Sequence, residues 1–179
     1  LPICEIMRTL KGRKNSKKRN HINYFLTEYD GRFEYRLLGK EDFDDCRALL
    51  DEWTINKEEN DNIEEGVDDE RSGIEKLFTH YDQICDRLKI AGIYIDGKLE
   101  AFTMGELLNK NMALIHIEKA NPEIRGLYPY INQQFLVHEF PEVEFVNREE
   151  DMGIEGLRKA KLSYHPCKLV EKYTVREAN

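Results

Sequence analysis

The spacing of apolar side chains along the first half of the chain predicts one strand followed by two amphipathic helices. Residues 33–37 alternate apolar and polar positions, as a strand with one buried face does. Residues 40–53 and 74–88 instead carry apolar side chains three or four positions apart, which places them on one face of a helix. The acidic segment between them, residues 56–70, has few apolar residues and is typical of a solvated loop.

Three neighbouring antiparallel strands are predicted next. Residues 90–95 and 99–106 are apolar runs separated by Asp96 and Gly97, a dipeptide that favours a two-residue hairpin turn. Residues 112–118 form another apolar run of strand length. The hairpin signal is the strongest short-range signal in the chain.

The last part of the chain alternates between helix and strand patterns. A helix is predicted over residues 127–137, a short buried strand over 143–146 and a helix over 154–162 that ends before Pro166. Residues 169–175 alternate like a final strand. This order of elements predicts an α+β layer with a mainly antiparallel sheet.

Composition indicates a globular protein of one domain, or of one domain and a fragment of another. Of the 179 residues, 35% are charged and 40% are hydrophobic. The formal charge of −8 argues against binding of nucleic acid or an anionic membrane by the whole surface. No apolar run approaches the roughly 20 residues that span a bilayer. The four cysteines are scattered without a CxxC pair, which argues against a metal site and predicts reduced thiols in a cytoplasmic protein.

Basic residues are concentrated near the N-terminus, where Lys14, Lys17, Lys18 and Arg19 belong to one run. Such a run is usually the solvated face of a helix. It can also bind an anion, which here would be a phosphate, a tRNA backbone or a lipid head group. Both interpretations stay open on the sequence alone.

Two sequence blocks resemble a known family. Residues 147–166 read Asn-Arg-Glu-x-Asp-x-Gly-x-x-Gly-Leu-Arg-x-Ala-Lys-x-Ser-Tyr-x-Pro, and residues 17–25 read Lys-Lys-Arg-Asn-His-Ile-Asn-x-Phe. Both are similar to a bacterial family related to the C-terminal domain of phosphatidylglycerol lysyltransferase. The resemblance implies the GNAT acyltransferase fold, an α+β fold whose mixed, mostly antiparallel central sheet is flanked by helices. It also implies that residues 29–179 form one such domain, and that residues 1–28 are the tail of a truncated preceding domain or an N-terminal extension.

The resemblance further implies a donor site at the turn after the fourth strand. Acyltransferases of this fold hold the pyrophosphate of acyl-CoA there on backbone amides at a helix start, which here corresponds to Glu123, Ile124, Arg125, Gly126 and Leu127. The family-level pattern has spaced glycines, whereas this turn has a single glycine. Acyl-CoA and aminoacyl-tRNA therefore both remain candidate donors.

Three residues are candidate catalytic groups. His116 and Glu118 alternate with apolar residues, so we expect them on one face of the strand, where either could deprotonate an acceptor. Tyr164 lies where the fold commonly places a general acid, and its high pKa suits the return of a proton. The alternatives are a polar pair at a half-exposed strand end and a buried aromatic that closes a helix.

A polar segment follows the predicted strand at residues 143–146. The resemblance makes Arg148, Glu149, Asp151, Lys161 and His165 candidates for binding a substrate, the cationic members acting on an anionic group. An internal network of ion pairs explains the same charges equally well.

Two functions are consistent with these patterns. One is an acyltransferase that moves an acyl or aminoacyl group from CoA or tRNA to an amine or hydroxyl acceptor. The other is a non-catalytic binding or regulatory domain that retains the fold.

Overall fold

The computed structural model describes residues 4–59, 67–149 and 155–170. Its helices are α1 (Cys4–Thr9), α2 (Ser16–Glu28), α3 (Phe43–Glu59), α4 (Val67–Thr79), α5 (Tyr81–Ile84), α6 (Leu127–His138) and α7 (Glu155–Leu162). Its strands are β1 (Phe33–Leu37), β2 (Leu88–Ile95), β3 (Lys98–Asn109), β4 (Met112–Ala120) and β5 (Phe145–Asn147). The α+β fold class predicted from the sequence is confirmed.

The strands form one sheet in the order β1-β2-β3-β4-β5. The first four strands are mutually antiparallel, and β5 pairs with β4 in parallel. The turn between β2 and β3 consists of Asp96 and Gly97, both at positive φ, so the hairpin prediction is confirmed.

Helices cover both faces of the sheet and enclose two apolar cores. On one face, α1, α2 and α6 pack against alternate residues of the central strands, with Phe25, Ile93 and Phe135 among the buried side chains. On the other face, α3 and α4 cover a second core that includes Phe43 and Phe102. Each central strand is thus buried on both sides, which explains its nearly continuous apolar sequence.

The N-terminal helices belong to the first of these cores. Cys4 and Met7 of α1 and Ile22 and Phe25 of α2 are buried beside residues of α6. Arg8 connects α1 to the segment between α6 and β5 by donating from Nη1 to the carbonyl oxygens of residues 140 and 143. Residues 4–28 therefore pack on the sheet that follows, and their origin in a preceding domain stays a prediction.

Two predicted boundaries differ from the structure, and a third predicted element is mostly untested. The single helix predicted over 74–88 is wrong, because α4 ends at Thr79, α5 is a separate short helix and β2 already begins at Leu88. The loop predicted over 56–70 is shorter, since helices extend to Glu59 and resume at Val67. Acidic residues at these positions continue the helices, which the sequence pattern does not separate from a loop. The last predicted strand, 169–175, lies mostly outside the described residues.

Candidate functional site

The parallel strands β4 and β5 pair over three residues and then separate. Met112–Leu114 is hydrogen-bonded to Phe145–Asn147, and no further pairing joins the two strands within the described residues. In an α/β layer, groups that bind ligands gather where neighbouring strands part at their carboxyl ends. The side chains that follow the paired residues of each strand form the candidate site.

A β-bulge at His116 reorients the second half of β4. Ile115 pairs with Gly105 and Ile117 with Met104, so His116 is an extra residue without a partner on β3. Ile115 is buried in the core under α6, whereas Ile117 packs against the opposite core. The alternation of the strand therefore reverses at this point, and the prediction that His116 and Glu118 share one face is wrong.

Glu118 is directed toward α6 and is held by two partners. Asn132 donates from Nδ2 to Oε2 at 2.6 Å, and Arg148 donates from Nη2 to Oε1 at 3.0 Å. The Glu118 and Arg148 side chains are only 11% and 13% exposed, respectively. The bridge from Glu118 to Arg148 thus spans the gap between β4 and the chain after β5, largely shielded from solvent.

Two polar atoms of this group have no hydrogen-bond partner among the described residues. They are Asn132 Oδ1 and Arg148 Nη1, and both are buried. Asn132 was not a candidate in the sequence analysis. The sequence feature that could have identified it is an amide side chain on the otherwise apolar buried face of α6, between Ile131 and Phe135.

Tyr164 lies beside the same group. Its ring centroid is 5.1 Å from Arg148 Cζ and 4.3 Å from the ammonium of Lys18. Burial raises the pKa of its phenol, and the nearby Arg148 charge only partly opposes this. Burial, followed by repulsion from Arg148, lowers the pKa of Lys18. The structure therefore brings Glu118 and Tyr164 together around Arg148.

His116 forms a separate group on the other side of the bulge. Its Nδ1 is 2.9 Å from a Glu149 carboxylate oxygen, and its Nε2 is 3.1 Å from a Glu106 carboxylate oxygen. The hydrogen bond with Glu149 is the largest cause of a raised pKa for His116, and the bond with Glu106 adds to it against the effect of burial. Glu149 adopts a positive φ of 55°, an uncommon backbone conformation for a residue with a side chain.

The remaining candidate substrate-binding residues have different surroundings. Lys161 donates from Nζ to the backbone carbonyl of Arg148 at 2.6 Å and so anchors α7 beside the site. His165 is exposed at a positive φ of 52°. Asp151 lies outside the described residues.

The turn before α6 is covered by α2. Gly126 has a φ of 91°, and a Cβ placed on it would lie 2.1 Å from the carbonyl oxygen of His21. The amides of Ile124 and Leu127 donate to carbonyl oxygens of the turn itself, at residues 121 and 124. These features disfavour a pyrophosphate at the turn, because a carbonyl oxygen lies beside Gly126 and the amides of Ile124 and Leu127 already donate within the turn. The assignment of Glu123–Leu127 to a donor stays a prediction.

The basic run near the N-terminus divides into structural and exposed members. Lys18 donates to the backbone carbonyl and the hydroxyl of Ser163, and Arg19 donates to the carbonyl of Gly12. Lys14 and Lys17 are exposed. The prediction that this run contacts RNA or phosphate therefore concerns chiefly the two exposed lysines.

Arg125, at the start of α6, extends this exposed basic surface. Its Nε donates to His21 Nδ1 at 3.1 Å, and its guanidinium carbon lies 4.7 Å from the ring centroid of Tyr24. Tyr24 is 44% exposed. Burial and then the charges of Arg125 and Lys17 lower the pKa of His21, which indicates a positive potential over this surface.

Metal-binding groups and membrane-spanning helices are both absent from the described part of the chain. Within it, no group of three or more His, Cys, Asp or Glu side chains is arranged to hold a metal ion. None of the helices described is both long and apolar enough to cross a bilayer.

Residues 4–176 match the family model described as phosphatidylglycerol lysyltransferase, C-terminal. A protein of unknown function from Bacteroides thetaiotaomicron VPI-5482 has 36% sequence identity and a TM-score of 0.84, over 94% of this chain and 55% of that one. An uncharacterized protein of Mycoplasmoides gallisepticum is 26% identical over 170 residues, which are 94% of this chain and 52% of that protein. The chain thus spans about half the length of these relatives.

Two more distant structures show the fold. One is the C-terminal domain of a proposed lysylphosphatidylglycerol synthetase from Agrobacterium fabrum, with a TM-score of 0.56 and 16% identity over 92% of this chain and 55% of that one. The other is a possible acetyltransferase from Clostridium difficile 630, with a TM-score of 0.53 and 14% identity over 83% of this chain and 99% of that one. The GNAT-like acyltransferase fold implied by the sequence resemblance is confirmed.

Proposed function

We propose that this chain, which belongs to the phosphatidylglycerol lysyltransferase C-terminal family, transfers an aminoacyl group from an aminoacyl-tRNA to an amine or hydroxyl acceptor. The family description refers to transfer of a lysyl group, and the fold is that of acyltransferases. The observation that carries the choice of donor is the packing of α2 on the turn before α6.

That packing favours an aminoacyl-tRNA over an acyl-CoA. A CoA-dependent enzyme of this fold needs free backbone amides at the turn for the pyrophosphate. Here the His21 carbonyl oxygen lies against Gly126, where its partial negative charge disfavours the binding of a phosphate. A tRNA donor needs no pyrophosphate site, because its aminoacyl group is carried on a ribose.

Exposed residues of α2 and of the turns before α2 and α6 support the same donor. Lys14, Lys17 and Arg125 provide positive charge, and Tyr24 provides an exposed ring on which a base can stack. These groups lie on a chain whose net charge is −8, so the positive charge is local. A local basic surface with an exposed aromatic ring is suited to a single-stranded RNA end.

The reaction forms one bond to the acyl carbon and breaks another. The acceptor nitrogen or oxygen attacks the carbonyl carbon, and the ester bond to the ribose oxygen breaks. The acceptor loses a proton to a base, and the ribose oxygen gains a proton from an acid. We assign the base to Glu118 and the acid to Tyr164. The raised pKa of the phenol keeps it protonated at neutral pH.

His116 is less suited to the role of base. Both of its ring nitrogens are within hydrogen-bonding distance of carboxylates, and its raised pKa favours the imidazolium, which has no free lone pair. We infer that His116 holds the carboxylates of Glu106 and Glu149 in place beside the bulge.

A non-catalytic binding domain is the second candidate function. It is favoured by the intrachain pairing of both candidate bases, since Glu118 is held by Arg148 and Asn132 and His116 by two carboxylates. In that case the exposed basic surface binds RNA without subsequent transfer.

Transfer of a radiolabelled aminoacyl group distinguishes the two candidates. The chain is incubated with labelled lysyl-tRNA and with amines or a phospholipid that carries a free hydroxyl, and label in the acceptor is measured. We expect transfer by the wild type and a roughly 100-fold lower rate for Tyr164→Phe, which removes only the acidic hydroxyl. Binding of lysyl-tRNA without transfer to any acceptor would support the non-catalytic alternative.

A further inference from the structure

The two unpaired atoms beside Glu118 belong to one buried group. Asn132 holds one oxygen of the Glu118 carboxylate through Nδ2, and Arg148 holds the other through Nη2. The second polar atom of each side chain, Asn132 Oδ1 and Arg148 Nη1, is left without a partner among the described residues. The unpaired acceptor, Asn132 Oδ1, and the unpaired donor, Arg148 Nη1, therefore belong to the two side chains that bind the Glu118 carboxylate.

Buried polar atoms normally have hydrogen-bond partners, so the lack of a partner for these two atoms requires an explanation. Asn132 is 2% exposed, and its orientation is fixed by the bond that its Nδ2 makes to Glu118. Rotation of the amide would exchange its two polar atoms and direct an oxygen at a carboxylate. The Oδ1 acceptor therefore cannot find a partner by turning.

The unpaired atoms define the chemistry of a ligand. Oδ1 requires a group with an N–H or O–H bond, and Nη1 requires an oxygen acceptor. An α-aminoacyl group provides both on adjacent carbon atoms, as its amine and its carbonyl oxygen. The Glu118 carboxylate between the two protein groups places a negative charge near the amine, which suits an amine that carries a proton.

We propose that Asn132 and Arg148 form the subsite for the aminoacyl end of the donor. Asn132 Oδ1 accepts from the α-amine, and Arg148 Nη1 donates to the carbonyl oxygen. The ligand enters between the diverging strands, where Glu118 and Arg148 keep 11% and 13% of their side chains exposed. The chemical identity of the ligand rests on the proposed function, whereas the presence of two unpaired buried atoms is an observation independent of it.

Small analogues of the aminoacyl end test the subsite without tRNA. Alaninamide has the α-amine and the carbonyl, while isobutyramide has a methyl group in place of the amine and is otherwise the same size. We expect alaninamide to bind at least tenfold more tightly than isobutyramide, as measured by calorimetry and by shifts of the Asn132 side-chain amide resonances. Equal affinities, or no saturable binding of alaninamide, would overturn the proposal.

Substitutions assign the discrimination to the named atoms. Asn132→Leu keeps the volume and removes the acceptor, so the preference for alaninamide over isobutyramide should disappear. Arg148→Lys keeps a cation for Glu118 but removes the second nitrogen, so both probes should bind more weakly. Gln134→Leu, on the same helix, is the matched control and should keep the wild-type preference. An unchanged preference in a folded Asn132→Leu variant would mean that the unpaired atoms hold an ordered water only.

The outcomes separate this inference from the proposed function. If the wild type transfers an aminoacyl group and Asn132→Leu has an unchanged KM for aminoacyl-tRNA, the subsite is wrong and the function stands. If alaninamide binds with the expected preference but no transfer from tRNA occurs, the subsite stands and the proposed function is wrong.

Discussion

Glu118 and Arg148 are thirty positions apart in the sequence, and their side chains meet at 3.0 Å across the gap between β4 and the end of β5. Both side chains are largely buried. Removing one member of such a pair leaves the other as an uncompensated buried charge. We therefore expect Arg148→Met to lower the free energy of unfolding by about 3–5 kcal/mol, as measured by urea denaturation.

Two controls distinguish the loss of charge pairing from the loss of packing. The double variant Glu118→Leu/Arg148→Met removes both charges and should recover most of the stability that Arg148→Met loses. Lys40→Met breaks an ion pair with Asp82 in which both side chains are more than half exposed, and it should leave stability nearly unchanged. If the double variant had the same free energy of unfolding as Arg148→Met, the unpaired charge of Glu118 would not be the cause of the lost stability.

The raised pKa of His116 provides a second prediction. Glu149→Gln removes the hydrogen-bonded carboxylate that contributes most to this shift, so the imidazole pKa should fall toward its ordinary value. The pKa is measured from the ring proton resonances during an NMR titration. Glu142→Gln, at an exposed carboxylate that does not contribute to this shift, should leave the pKa unchanged. A His116 pKa that stays the same in Glu149→Gln would show that the bond is absent in solution.

The raised pKa of His116 also makes the free energy of unfolding depend on pH. The folded protein binds the His116 proton more tightly than the unfolded chain, so the imidazolium stabilises the fold fully below the unfolded pKa of about 6.5. This contribution is lost as pH rises through the raised pKa of the folded state. His116→Gln should therefore flatten the decline in unfolding free energy over that pH range, as measured by denaturation at a series of pH values.

Gly126 is the third test, because α2 packs on it. Alanine at this position combines a positive φ with a Cβ in contact with the His21 carbonyl, so Gly126→Ala should destabilise the protein by about 1–3 kcal/mol. Gly73→Ala is the matched control: Gly73 is exposed in α4 with open space around it, and this substitution should stabilise the protein by about 0.5–1 kcal/mol. A neutral Gly126→Ala in thermal denaturation would mean that α2 does not close this turn.

The exposed lysines in and just before α2 provide the fourth test. If Lys14 and Lys17 contact RNA phosphates, replacing either with Gln should weaken tRNA binding and reduce the slope of log K against log salt concentration by roughly one. Lys89→Gln on β2 is the control and should leave the slope unchanged. Affinity is measured by fluorescence anisotropy at several salt concentrations. An unchanged slope in both Lys14→Gln and Lys17→Gln would place the RNA elsewhere.

Local chemistry accounts for the parts of the fold that the sequence predicted. Asp96 and Gly97 specify a two-residue turn by themselves, and the spacing of apolar residues in α3 and α6 follows from burial of one helix face. The conformation at His116 could not be predicted from local sequence patterns. Its bulge depends on how β4 is paired with β3, which no single strand encodes, and one extra residue moved Glu118 to the opposite face.

The candidate site could be predicted from the sequence only in part, because its geometry also depends on contacts between distant segments. Glu118, Arg148 and Tyr164 were candidates because each carries suitable chemistry, but their convergence depends on how far β4 and β5 stay paired. The covering of Gly126 by α2 depends on a contact between residues more than a hundred positions apart. The unpaired oxygen of Asn132 becomes visible only once its hydrogen bond to Glu118 is known.

The choice of donor is the central claim and is tested most directly by one binding comparison. Lysyl-tRNA, uncharged tRNA and CoA are each titrated into the same preparation of this chain at one salt concentration. We predict micromolar binding of lysyl-tRNA, weaker binding of uncharged tRNA and no saturable binding of CoA at millimolar concentration. Micromolar binding of CoA, with lysyl-tRNA bound no better than uncharged tRNA, would contradict the account.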